Sequence, residues 1–333
     1  MATTVNTAFS ELMQDIVNLD STVTKNARAS RDNLLSNIAE FDDADGFFDL
    51  YDAFNVHFGS FARKTKCREL DDIDLMIGIA GNDATYYSYS SWDNVTITAS
   101  TTNQAQIDCT DSSGFLNSTK VIDKFKEKLK HLREYSRSEV KRSGEAIVLN
   151  LISKDWSFDI VPCFYTAKES NGRAYYLIPN GNGGWKKTDP TIDRAAIQNT
   201  NQKLDGKVLE LVRLMKRWNK TKNARTIPSY LLETLILNYC NMQIELSDYI
   251  DLRFADALQY VANNIINPVN DPKNIQGNIN TLSHTDQLIL SKKAFTDYNK
   301  ACEAINFELQ DKNQEKAIKK WGEIFGQDFP SYG

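Results

Sequence analysis

The sequence predicts an α+β fold, with a mixed α/β first half followed by an all-helical second half. Three observations carry this. Residues 73–79 and 156–161 alternate as β-strands do, and each stretch holds acids on the face opposite its apolar residues. From Thr191 onward apolar residues recur at helical spacing almost to the end. A length of 333 residues is enough for about two domains, each with its own core.

Taken in order, Phe9, Leu12, Met13, Ile16, Val17, Leu34, Leu35 and Ile38 fit one long helix or a pair of helices. Residues 73–79 form a strand. Residues 81–118, rich in Ser, Thr, Asn and Tyr, read as loop apart from a short strand at Val95–Thr98. Asn117-Ser118-Thr119 caps a helix through Val121, Phe125 and Leu129 to Leu132. Residues 146–152 and 156–161 make a hairpin turning at Ser153-Lys154-Asp155. Gly181-Asn182-Gly183-Gly184 is a loop without the spacing of a phosphate-binding fingerprint, and with Asp189-Pro190 it marks a hinge. Helices follow over 204–220, 229–241, 246–264, 284–309 and 313–325. No internal repeat is evident.

Composition narrows the function classes. Hydrophobic residues make up 41% and charged residues 25%, as in an ordinary globular protein. The net charge of −5 argues against permanent binding of a long nucleic acid, which calls for a basic surface. The cysteines (Cys67, Cys109, Cys163, Cys240, Cys302) are odd in number and form no C-x-x-C pair, the pattern of reduced thiols. The N-terminus lacks a signal-peptide pattern, and the most apolar stretch, 231–237, is interrupted by Glu233 and too short to span a bilayer. A soluble cytoplasmic protein with no membrane contact is expected.

The chemistry concentrates in a few acids. In the strand 73–79, Ile73, Leu75, Ile77 and Ile79 take one face, so Asp72 and Asp74 project together from the other, with Asp71 in the preceding turn. Adjacent carboxylates repel unless a cation neutralises them. Taken alone, Asp-Ile-Asp would be an exposed edge that limits aggregation. But Asp159 likewise opposes Trp156, Phe158 and Ile160, and three carboxylates converging from neighbouring strands suit a two-magnesium phosphoryl-transfer site. Gly59-Ser60 supplies a phosphate side, since glycine admits close approach of an anion to the backbone. The histidines (His57, His131, His284) are far apart in sequence and are assigned structural roles.

Gly59-Ser60, a short basic stretch, Asp72-Ile73-Asp74 and a distant strand Asp159 together resemble the signature of the polymerase-β-like nucleotidyltransferase superfamily. Within it the chain most resembles the CD-NTases, relatives of cyclic GMP–AMP synthase and oligoadenylate synthetase that act in bacterial anti-phage signalling (CBASS). Residues 211–219, Leu-Val-Arg-Leu-Met-Lys-Arg-Trp-Asn, are similar to the family helix whose lysine grips the donor triphosphate, here Lys216. Pro228-Ser229-Tyr230 is similar to the next element, whose serine touches phosphate and whose tyrosine stacks on the donor base, here Ser229 and Tyr230. Arg217 and Lys220 read as a solvated basic face. Residues 320–330 are similar to the family's closing helix. One departure is Lys64, where relatives often carry glycine after the arginine.

The resemblance implies a polymerase-β-like core over 1–188 with an N-terminal long helix. A helical nucleotide-binding domain similar to that of oligoadenylate synthetase would follow over 189–333, the two lobes flanking an active-site cleft. It implies two Mg2+ ions, with Mn2+ able to substitute, on the catalytic Asp72, Asp74 and Asp159. Gly59, Ser60, Lys216, Ser229 and Tyr230 would bind nucleotide. The expected function is synthesis of a cyclic di- or trinucleotide second messenger from nucleoside triphosphates, ATP among them. The expected partners are a downstream effector that the product activates and a ubiquitin-like conjugation system acting through Gly333. Two alternatives remain at this point: a tRNA nucleotidyltransferase (CCA-adding or a tRNA-modifying toxin) and a catalytically inactive nucleotide-binding scaffold.

Overall fold

The computed structural model describes residues 1–41, 46–89, 91–135, 137–221 and 225–333. These form two compact units, one comprising Ser21–Arg63 and Leu70–Arg194, the other Met1–Asp20, Lys64–Glu69 and Ala195–Gly333. The units depart from a single cut between residues 188 and 189, because the first residues of the chain pack with the last helices. The N-terminal region is a pair of helices, α1 (Val5–Leu12) and α2 (Ser21–Ala39), separated by a π-helical turn at Met13–Val17, and they fall in different units.

The sheet unit contains α2, β1 (Val56–Phe58), α3 (Gly59–Ala62), β2 (Asp72–Gly78), β3 (Thr85–Ser88), β4 (Val95–Thr98), α4 (Gln104–Asp108) and α5 (Ser118–His131). It continues through β5 (Glu139–Ser143), β6 (Ala146–Asn150), β7 (Ser157–Tyr165), β8 (Tyr176–Pro179) and β9 (Trp185–Thr188). Their order is β1-β2-β7-β8-β9-β4-β3, with the β5–β6 hairpin branching from β7. The long β7 makes this possible: its first half lies between β2 and β6, and its end pairs with β8. Asn117 caps α5 as the sequence predicts, its side chain accepting from Thr119 N and Lys120 N. That helix buries Val121, Phe125 and Leu129, and Phe125 stacks on Phe48 at 5.6 Å.

Several strands escape the sequence pattern. The stretch expected to be loop also contains β3 and α4, and the glycine-rich segment 181–184 is the tip of the β8–β9 hairpin. β3 is polar and exposed on alternate residues, so pairing with β4, not burial, makes it a strand. All four residues of β8 are buried, so no alternation marks it. Pro190 opens α6 (Pro190–Lys203), the first-turn position where a missing N–H costs nothing.

The helical unit continues with α7 (Lys207–Lys220), α8 (Ser229–Asn241), α9 (Ile250–Asn264), α10 (His284–Leu309) and α11 (Gln314–Phe325). Phe9 of α1 sits edge-on to Trp321 at 4.9 Å, Phe325 at 5.9 Å and Phe329 at 5.1 Å, and Val5 N donates to Gln314 Oε1 at 2.7 Å. This aromatic knot ties the N-terminus to α11. Cys67, Cys109, Cys163 and Cys240 are buried free thiols, and Cys302 is half-buried. No helix among the described residues is long and apolar enough to cross a membrane.

Phe9→Ala should remove about 3–5 kcal/mol of stability, the usual cost of emptying a buried aromatic site. Urea unfolding followed by tryptophan fluorescence measures this, and a loss under about 1 kcal/mol would mean the knot is not a keystone.

Asp251, in the first turn of α9, is buried. Burial, and secondarily the Glu308 charge, push its pKa up to about 6. The folded chain therefore binds this proton more tightly than the unfolded chain, where aspartate titrates near about 4. Ionising Asp251 opposes folding, so its destabilising effect is absent below about pH 4, grows as pH rises through about 6, and is constant above. Asp251→Asn should be more stable than wild type near neutral pH, with the gain vanishing at about pH 4. Urea midpoints at several pH values test this; a gain independent of pH would contradict it.

Candidate active site

The acids are positioned by the parallel pairing of β2 with β7. Their register sets Asp72 beside Ser157, Asp74 beside Asp159, Met76 beside Val161 and Gly78 beside Cys163. Residues side by side in a parallel pair share a face, and neighbouring strands lie about 4.8 Å apart, so Asp74 and Asp159 adjoin on one surface with Asp72 along it. All three are half-buried. β2 is an interior strand between β1 and β7, which removes the reading of these acids as edge protection. The opposite face carries Ile73, Leu75, Ile77, Phe158 and Ile160, each at most 2% exposed. The acid face turns apolar further along, where Met76, Val161 and Cys163 join Val56, Tyr176 and Ile178. Asp71 is exposed before the strand, and its carbonyl accepts from Ser157 N at 2.9 Å, pinning the register at its start.

Gly59 is placed where no other residue fits. Its φ is +69°, and a Cβ built on it would lie 1.6 Å from Asp74 Oδ2. The Asp74 carboxylate is thus folded directly over the Gly59 backbone. The next residue, half-buried Ser60, lies in the single turn of α3. Lys64 adopts φ 62°, the left-handed region that glycine enters without steric cost.

Lys216, Ser229 and Tyr230 belong to the helical unit, on α7 and α8. Lys216 is buried, and its Nζ donates to Glu233 Oε1 at 2.8 Å. Glu233 Oε2 also accepts from Thr65 Oγ1 at 3.0 Å. The polar interruption of the apolar run 231–237 is therefore the counter-ion of the predicted lysine, a role the sequence flagged only as an anomaly. Ser229 is exposed at the start of α8. The Tyr230 hydroxyl donates to Asp271 Oδ1 at 2.9 Å, a partner 41 residues away that no local pattern announces. Arg217 is not simply solvated: its Nε donates to Asp328 Oδ2 at 2.9 Å.

The fit to metal can be judged from the donors. Asp72, Asp74 and Asp159 offer only oxygen, the ligand type that magnesium prefers. Among the described residues, no three His, Cys, Asp or Glu groups stand close enough to form a complete protein cage. Asp72, Asp74 and Asp159 therefore do not form a ready-made three-ligand group, and any magnesium ion here would be held by one or two carboxylates with water and substrate phosphate completing its shell. The carboxylates on β2 and β7 therefore fit such an ion.

The sheet order, the flanking helices and the acids on adjoining central strands define a polymerase-β-like nucleotidyltransferase fold, and solved structures bear this out. The chain is similar to E. coli MS115-1 CdnC, solved with HORMA-deltaN (TM-score 0.70, 16% identity, 98% of each chain) and with ATP (TM-score 0.69, 17% identity, 98% and 99%). It is also similar to Vibrio cholerae DncV, a cyclic AMP-GMP synthase and prokaryotic cGAS homologue (TM-score 0.61, 13% identity, 83% and 70%). The profile of the Second Messenger Oligonucleotide or Dinucleotide Synthetase domain matches residues 91–201. A probable cyclic nucleotide synthase of Bacillus cereus (strain VD146) is 38% identical over 341 residues, covering 100% of this chain and 99% of the relative. The chain belongs to this family of cyclic nucleotide synthases, the CD-NTases.

Gly59→Ala should cut turnover about a hundredfold or more, because the added methyl must displace Asp74. Pyrophosphate release measures the loss, and the melting temperature controls for folding. Activity within about threefold of wild type, under 1 kcal/mol of barrier, would show that Asp74 need not lie over Gly59.

Proposed function

We propose that this chain condenses nucleoside triphosphates, ATP among them, into a cyclic di- or trinucleotide second messenger of anti-phage defence. It would act in the cytoplasm on a downstream effector. The observation that carries the reading is the register of Asp74 with Asp159, with Gly59 cradling the Asp74 carboxylate, in a member of the cyclic nucleotide synthase family. The E. coli relative solved with ATP supports ATP as a substrate.

Asp72, Asp74 and Asp159 would hold two magnesium ions, which when bound neutralise phosphate charge and ease loss of the ribose hydroxyl proton. Asp159, the carboxylate on the neighbouring strand, would orient the acceptor hydroxyl and take up its proton. Ser60 and Ser229 would donate hydrogen bonds to triphosphate oxygens, and Lys216 would offset the charge of the departing pyrophosphate. Tyr230 would stack on the donor base. The protein's share is orientation and charge placement, with no covalent intermediate on the chain. In-line attack forms one phosphodiester, and a second attack closes the ring.

Incubating the protein with labelled nucleoside triphosphates and magnesium, then phosphatase and chromatography, should give a phosphatase-resistant product. The product should be lost with chelator and with Asp74→Ala. Residual Asp74→Ala activity within about tenfold of wild type, roughly 1.4 kcal/mol of barrier, would remove Asp74 from catalysis. Labelling of added tRNA in place of a resistant nucleotide would overturn the cyclase reading.

A further inference from the structure

The short segment Lys64–Glu69 belongs to the helical unit, although the chain on either side of it, to Arg63 and from Leu70, belongs to the sheet unit. It follows soon after α3, the turn that holds Ser60. Several hydrogen bonds within the helical unit secure it. The Arg213 guanidinium on α7 donates to the Lys64 carbonyl at 2.9 Å and to Asn18 Oδ1 at 2.8 Å. Cys67 Sγ donates to the Arg213 carbonyl at 3.2 Å, and Arg68 Nε to the Asn18 carbonyl at 3.0 Å. Thr65 is fully buried, and its hydroxyl is the one that meets Glu233. Arg213 and Lys216 stand three apart on α7 and so share a face. One clasps Lys64 directly, and the other reaches Thr65 through Glu233.

A carboxylate beside a lysine acts on a triphosphate in two opposed ways. It offsets the cost of burying the ammonium. It also competes with phosphate, because both are oxygen anions seeking the same donors. Which effect prevails depends on how the carboxylate is held. Glu233 gives Oε1 to Lys216 and Oε2 to Thr65, so this pairing occupies the ammonium through a single oxygen. An ammonium has three donors, and one such bond does not exhaust them. Without the Thr65 hydroxyl, Oε2 would lose a donor in a buried place, and turning onto Lys216 is the compensation at hand.

We infer that Thr65 is a positioning residue for the donor triphosphate, keeping one Glu233 oxygen off the Lys216 ammonium so that phosphate can bind there. The inference rests on the reading of Lys216 as the triphosphate lysine and extends it to the residues that hold it. Thr65 acts on the nucleotide only through the Glu233–Lys216 pair.

Calorimetric binding of a non-hydrolysable ATP analogue, with magnesium, to the full chain tests this. Thr65→Val keeps the shape of the side chain and should raise Kd about tenfold, the scale of one hydrogen bond to a charged group. Thr65→Ser keeps the hydroxyl and should bind within about twofold of wild type. A folded Thr65→Val protein with the wild-type Kd would overturn the inference, as would an equal loss in Thr65→Ser. Should Thr65→Val not fold, Thr65→Ala removes the same hydroxyl without setting a methyl against the carboxylate, and the same Kd decides. Lys216→Met/Glu233→Gln separates the two levels, since it removes both charges and strands neither. Wild-type affinity in that protein would overturn the reading of Lys216 itself. If its affinity is reduced, adding Thr65→Val should change nothing further, because the hydroxyl has lost the pair it acts through. A further loss there would overturn the positioning role.

Discussion

The placement of the acids in the sheet unit depends on the parallel hydrogen-bonded pairing of β2 with β7. Side chains in a strand alternate between faces, so a slip of one residue in this pairing would turn the alignment of Asp74 with Asp159 into alignment with an apolar neighbour. The register is held in three ways. The opposite face buries Ile73, Leu75, Ile77, Phe158 and Ile160, which a slip would expose. The Asp71 carbonyl receives Ser157 N where the pair begins. The strands on either side, β1 and β6, fix the outer edges of the pair. Carboxylates that repel each other are therefore kept adjacent by the apolar surface behind them.

The helical unit meets a related difficulty by ionic means. Lys216 and Asp271 are charged groups in places water hardly reaches, and a lone buried charge costs several kcal/mol, about the stability of a small domain. Each has a partner that offsets this cost, Glu233 for Lys216 and Lys273 for Asp271, and each pair has a further hydrogen bond from Thr65 or Tyr230. Such pairs contribute less to net stability than to geometry, since removing one member strands the other. These side chains are thus set in rigid surroundings, as positioning by preorganisation would require.

Much of this was legible in the sequence because local pattern and tertiary role coincide there. Asp72, Asp74 and Asp159 stand out as polar residues on otherwise apolar strands, and the capping Asn117 does in the structure what it does in sequence. Among the strands that went unread, β3 is polar throughout and β8 is buried on both faces, so neither shows an alternation. Arg217 looked like surface because its partner Asp328 lies far along the chain.

The sequence by itself determined the element types in the long periodic segments, the acids on β2 and β7, and membership of the nucleotidyltransferase superfamily. These properties live in spacings of two and of three to four residues, where the backbone alone sets which side chains share a face. The tertiary structure alone decided the strand order, the union of the N-terminal helix with α11, and the partners of Lys216, Tyr230 and Gly59. Those depend on contacts between residues far apart in the chain. Such contacts are chosen by packing and by neutralising buried charge, and neither leaves a periodic mark in the sequence.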